Sequence, residues 1–199
     1  FTTGLGPVAN SVFSVTSFTI GIPTGIKIFN WVGTLWGGNL KFTTAMMYCI
    51  AFLVTFTLGG VTGIMVAMPT FDAQVQDTYF VVAHFHYVMG GGALLAYLGG
   101  LWYWFPKLFG RMLSERMGKV VFWFVTVGFY ILFFPMHISG LLGMPRRIQT
   151  YAKGLGLEIP NFLSTVGAII MGIGLIIALV AVIQALRKRP DAPADPWDG

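Results

Sequence analysis

Charged residues are scarce in this 199-residue chain: Asp, Glu, Lys and Arg make up 10% of it, against the roughly 25% usual in a soluble domain. That deficit excludes an ordinary water-soluble fold and says that lipid or protein covers most of the surface. Cysteine is nearly absent. The single Cys49 has no partner for an internal disulfide or a C-x-x-C motif, and within its apolar run it reads as packing. No signal peptide and no initiator methionine open the chain at Phe1-Thr2-Thr3-Gly4, so it reads as part of something longer.

What fills the chain instead is apolar: 56% hydrophobic residues, 16% aromatic residues and 26 glycines, with a mean hydropathy of +0.77. Five long apolar segments are legible, roughly 9–32, 43–67, 78–105, 118–141 and 161–187. Each exceeds the ~20 residues a helix needs to cross the hydrocarbon core. The expected fold class is therefore all-α, a polytopic bundle of five transmembrane helices within one larger membrane domain, followed by a polar tail over 191–199. Glycines at membrane-packing spacing, Gly21/Gly25 and Gly59/Gly63, imply close helix–helix contacts.

The net charge of +5 does not point to nucleic acid, because the cations sit between apolar segments. Eight of them fall on one side: Lys41, then Lys107, Arg111, Arg116 and Lys119, then Arg187, Lys188 and Arg189. The other side holds three, Arg146, Arg147 and Lys153. The excess of positive charge on inner loops places the tail inside and Phe1 outside. Arg146 and Arg147 then break the rule and call for a cause.

Histidine is rare, three in all, yet His84 and His86 stand at i, i+2 in the third segment. Ionisable groups within membrane spans are costly and usually functional. On a helix these two positions are about 200° apart, so the imidazoles leave opposite sides. They cannot share one metal ion in an ordinary way, but each can bind a separate centre. The plainer alternative is a pair of hydrogen-bonded packing residues. Lys27 is the lone ionisable group deep in the first segment. With Asn10, Ser14, Ser17 and Thr24 it falls within roughly 140° of one helical face. That polar stripe serves either interhelical hydrogen bonding or a proton path, since desolvation helps an ammonium release its proton.

The stretch Asp77-Thr78-Tyr79-Phe80-Val81-Val82-Ala83-His84-Phe85-His86-Tyr87-Val88 resembles the signature of subunit I in haem–copper terminal oxidases of the cytochrome c oxidase type. Further stretches resemble the same family: Pro23-Thr24-Gly25-Ile26-Lys27, Gly59-Gly60-Val61-Thr62-Gly63 and Gly143-Met144-Pro145-Arg146-Arg147. The resemblance covers essentially the whole chain and matches its five segments to the last five of the family's twelve helices.

The resemblance implies that His84 is the axial ligand of a high-spin haem beside copper and His86 an axial ligand of a low-spin haem. It implies that Thr24 and Lys27 belong to a proton channel and that Arg146 and Arg147 contact haem propionates; a plainer role for the arginines is anchoring a loop in headgroups. It places Asp72 near a propionate and Asp77 at a magnesium site, though Asp77 could also N-cap the third helix. Gln76 stands where the family usually has histidine, which changes the magnesium ligand. His137 matches a family histidine and is read as structural or propionate-side. The copper-binding histidines have no counterpart in this sequence.

The expected parent enzyme oxidises cytochrome c and reduces O2 to water with coupled proton translocation. Its expected cofactors are two haems of the A type, copper and magnesium. Its expected partners are the rest of subunit I, subunits II and III, cytochrome c, O2 and lipid, in a bacterial plasma membrane or a mitochondrial inner membrane. A quinol oxidase is the alternative within the superfamily; nitric oxide reductases fit Lys27 and its Pro-Thr-Gly context less well. A cofactor-free transporter or channel is the alternative outside it, and it leaves the histidine pair unexplained.

Overall fold

The computed structural model describes residues 1–197, so the last two residues of the polar tail lie outside the described part. The protein is a bundle of helices, with five long and apolar enough to cross a membrane. The first is α1 (Gly6–Leu35), started by Pro7 in its first turn and carrying Pro23 inside. Next come α2 (Thr44–Ala67) and the short α3 (Pro69–Val75). The third span is compound: α4 (Tyr79–Phe85), a π-helical segment (His86–Leu94) and α5 (Leu95–Phe109). It is followed by α6 (Glu115–Leu141) and α7 (Glu158–Arg187).

Side-chain caps set several starts. Thr43 accepts from the Met46 N–H, Ser114 from the Met117 N–H, and Thr78 from the Phe80 N–H. The third of these corrects the sequence reading that Asp77 could cap this helix. Asp77 lies one residue earlier with φ 56°, a left-handed conformation that takes it out of the capping position. Gly110 ends α5 in the left-handed region, φ 63°, which glycine adopts without steric cost.

The third span was expected as plain α-helix. Its π stretch begins at His86 and runs through Gly90-Gly91-Gly92. Such widened turns inside α-helices are rare and concentrate at functional sites. Here the glycines let the widened turn press on its neighbours. A Cβ on Gly91 would collide with the Thr55 side chain, and one on Gly90 would lie 3.3 Å from the Phe129 ring.

The packing is asymmetric. α6 and α7 lie against each other along their lengths, with glycines at the seam: Gly167 against the Leu132 backbone and Gly174 against Phe124 and Val125. The largest core cluster joins Tyr48 of α2, Leu95 and Trp102 of α5, Val121 of α6 and Ala181 of α7. Helix α1 contacts mainly α2 and buries no residue fully. Its exposed Val8, Val15, Ile20 and Phe29 are suited to lipid or to further helices.

Chain ends of the spans meet in two groups. At one end, the loop after α6 lies against the start of α4: the Tyr79 N–H donates to the Met144 carbonyl at 3.0 Å. At the other, Glu115 Oε2 accepts from the Thr44 N–H at 2.8 Å and from its hydroxyl at 2.9 Å. There too Asp191 accepts from the Met112 N–H, and Trp197 stacks on Tyr103 with ring centres 5.6 Å apart.

Candidate functional site: two histidines on opposite faces of one helix

His84 turns toward α2. Its Nδ1 donates to the Gly59 carbonyl oxygen at 3.1 Å and lies 3.0 Å from Thr62 Oγ1. The Thr62 hydroxyl itself donates to the Gly59 carbonyl, 2.9 Å. A carbonyl only accepts, so the imidazole proton sits on Nδ1 and the lone pair on Nε2. Gly63 makes room for the ring: a Cβ there would stand 3.0 Å from His84 Cε1. The glycine pair read from the sequence as helix packing is therefore also the seat of His84.

His86 turns toward α6. Its Nδ1 donates to the Val82 carbonyl one turn back, 2.8 Å, which fixes the same tautomer. Its ring stacks on Phe133, centroids 4.3 Å apart and 17° between planes, and lies 4.5 Å from Phe85. Among the described residues neither Nε2 has a hydrogen-bond partner. Two imidazoles, each oriented by a backbone carbonyl and each with Nε2 unpartnered among the described residues, have the form of metal-ligating histidines. Thr62 and Phe133 were not singled out from sequence; only the fold brings them to the histidines.

A cleft of about 590 Å³ opens between α1 and α2, with His84 in its wall. Ser17 and Thr24 line it from α1, Gly60 and Gly63 from α2, and Asp72 from α3. Asp72 is buried, and that burial pushes its carboxyl above the usual aspartate range. The polar stripe of α1 is thus divided. Ser14 donates to the Ala67 carbonyl across to α2, 2.9 Å, while Thr24 bonds back to Ile20 on its own helix. Lys27 lies on the exposed side, its Nζ 5.2 Å from the Trp31 ring centre, and does not line the cleft.

At the far end of α4, Arg146 pairs with the Asp77 carboxylate, and the Arg146 N–H donates to the Asp77 carbonyl at 2.8 Å. Arg147 is exposed, with φ 66°, and makes no such pair among the described residues. The two arginines therefore diverge: one is paired to the loop before α4 and the other is unpaired among the described residues. Gln76 caps α3, its N–H donating to the Asp72 carbonyl at 2.7 Å. Among the described residues no three His, Cys, Asp or Glu gather as a metal site.

The sequence profile described as Cytochrome C and Quinol oxidase polypeptide I matches residues 1–170. The chain belongs to this haem–copper oxidase subunit I family. The cytochrome c oxidase subunit 1 of Alkalihalophilus pseudofirmus is 52% identical over 199 residues, all of this chain and 32% of that protein. That of Bacillus subtilis is 53% identical over 197 residues, 99% of this chain and 32% of that protein. A probable quinol oxidase subunit 1 of Staphylococcus aureus is 46% identical over 200 residues, covering 100% of this chain and 30% of that protein. The chain thus spans about a third of the length of these subunit I relatives. In fold it is similar to a haem–copper terminal oxidase dimer solved by cryo-electron microscopy, TM-score 0.79 at 21% identity, over 97% of this chain and 39% of that one. Membership and the five membrane-length apolar helices make the chain an integral, multi-pass membrane segment of that family.

Proposed function

We propose that this chain forms part of the catalytic subunit of a terminal oxidase that oxidises cytochrome c, reduces O2 to water and couples this to proton translocation. The observation that carries the reading is the histidine pair: one helix presents two oriented imidazoles to two different neighbours, α2 and α6, each with Nε2 free. His84 Nε2 would hold the high-spin haem iron, and His86 Nε2 one side of the low-spin haem iron. The haems, of the A type, would supply the redox-active iron when bound.

The chain's own residues do the rest. Gly59 and Thr62 fix the His84 ring, and Gly63 leaves space for it. Phe133 and Phe85 hold the His86 ring from its faces. Thr24 and Ser17 give the His84 cleft a polar wall along α1, which suits proton delivery with Lys27 one turn beyond Thr24. Arg147, unpaired among the described residues, and Arg146 suit the carboxylates of haem propionates, and Asp72 would lie near them. Magnesium at Asp77 would compete with Arg146 for the carboxylate and needs ligands from subunit II. Subunit III, cytochrome c and O2 complete the assembly in a bacterial plasma membrane or its mitochondrial counterpart, with Phe1 outside and the tail inside.

Cytochrome c is preferred as donor because relatives named cytochrome c oxidase reach 52–53% identity, against 46% for one named probable quinol oxidase. Oxygen uptake by the full enzyme should be driven by reduced cytochrome c. Uptake with a quinol and none with cytochrome c would assign the quinol reading instead. Absence of any haem band in the reduced-minus-oxidised spectrum would remove both.

A further inference from the structure

Buried polar groups in proteins are nearly always hydrogen-bonded, and each exception needs a physical partner. Two neighbouring side chains between the π-helical segment and α6 break that rule together. The Tyr87 hydroxyl and both ring nitrogens of His137 are sealed from the surface, and none of the three has a hydrogen-bond partner among the described residues. Tyr87 is 2% exposed, and its ring meets His137 edge to face, centroids 5.2 Å apart at 70°. Phe80 closes His137 from another side at 5.2 Å.

The neighbouring hydroxyls show the contrast. Thr55 donates to the Ala51 carbonyl at 2.7 Å, so Tyr130 Oη donates to Thr55 Oγ1, also at 2.7 Å. Tyr130 lies 6.0 Å from Tyr87, ring centre to ring centre. That pair is self-sufficient; Tyr87 and His137 are not.

The missing partner must fit within an enclosure formed by this chain's own residues. It must be small and trapped during folding. It must also donate and accept, because a neutral imidazole and a phenol offer both roles. No acidic cluster stands by to balance a cation. Water meets every requirement, and sealed waters of this kind are integral to protein interiors.

We infer that an internal water-binding site lies between Tyr87 and His137, its occupant hydrogen-bonded to both and sealed behind the helix that carries His84 and His86. The site does not depend on which electron donor the enzyme uses. It makes the contact between the π-helical segment and α6 a polar joint next to the histidine pair.

The test uses the assembled full-length enzyme. A map at a resolution that shows ordered water should contain a peak within about 3 Å of both the Tyr87 hydroxyl and a His137 nitrogen. His137→Phe and Tyr87→Phe should each lower the temperature at which the haem spectrum is lost. The double variant should fall no further than the worse single, because the two side chains share one partner. His137→Gln, which keeps a polar group, should stay close to the parent. An empty site, a direct Tyr87–His137 bond, or fully additive losses would overturn the inference.

Discussion

A histidine ligates well only if its ring is held, and the grip on His84 is short-range and local. Thr62 shares the Nδ1 proton with the Gly59 carbonyl, so Thr62→Val should leave His84 one acceptor and cost about 0.5–1.5 kcal/mol in local stability. Gly63→Ala is the harsher change, because its methyl must displace the imidazole edge 3.0 Å away. Carbon monoxide binding to the reduced enzyme reports on the high-spin haem; it should be weakened by Gly63→Ala and altered less by Thr62→Val. Equal, wild-type binding in both would mean that α2 does not position His84. Lys27→Met should slow reduction of the oxygen-binding site while both haems assemble; unchanged turnover would leave Lys27 a packing residue over Trp31. At this scale the sequence made the i, i+2 divergence of His84 and His86 legible, since helical geometry alone sets it. It did not make the partners legible. The Asp77–Arg146 pair spans 69 positions and forms only when the loop after α6 returns to α4. Lys27 was read as deep in the first segment, and hydropathy records that depth along a helix and not the side the residue faces.

Among the elements, the third span departs most from expectation. The apolar segment expected over roughly 78–105 reads as one helix, and length and hydropathy carry no mark of a widened turn. The mark is Gly90-Gly91-Gly92, where missing side chains let α2 and α6 close in. Gly91→Ala should therefore destabilise the bundle by about 1–3 kcal/mol, the usual cost of overpacking, because its methyl collides with Thr55. Gly172→Ala in α7 meets nothing within 4 Å and should be neutral or slightly stabilising. Thermal midpoints of the two variants decide the matter; equal losses would show that helix propensity and not the close approach governs these glycines. The five spans themselves were legible to within a few residues, α1 running over Gly6–Leu35 where about 9–32 was expected. Apolar runs bounded by Gly, Pro and charge determine where a helix can start and stop in lipid.

For the whole molecule, the alternation of the five spans collects eight cations at one end and three at the other. The account places the eight-cation end inside. With Cys49 replaced by serine, a cysteine introduced at Arg189 should resist a membrane-impermeant thiol reagent added outside intact cells, and one at Tyr151 should react. The reverse pattern would invert the orientation. The central claim is that one helix serves two separate haem irons from opposite faces, His84 toward α2 and His86 toward α6. Its most direct test is the reduced-minus-oxidised spectrum, with haem counted per enzyme, of His84→Ala and His86→Ala in the full-length protein. His86→Ala should lose the low-spin haem band, and His84→Ala should keep that band while losing carbon monoxide binding. If both variants lost the same single haem and kept the other, the two-centre account would be contradicted.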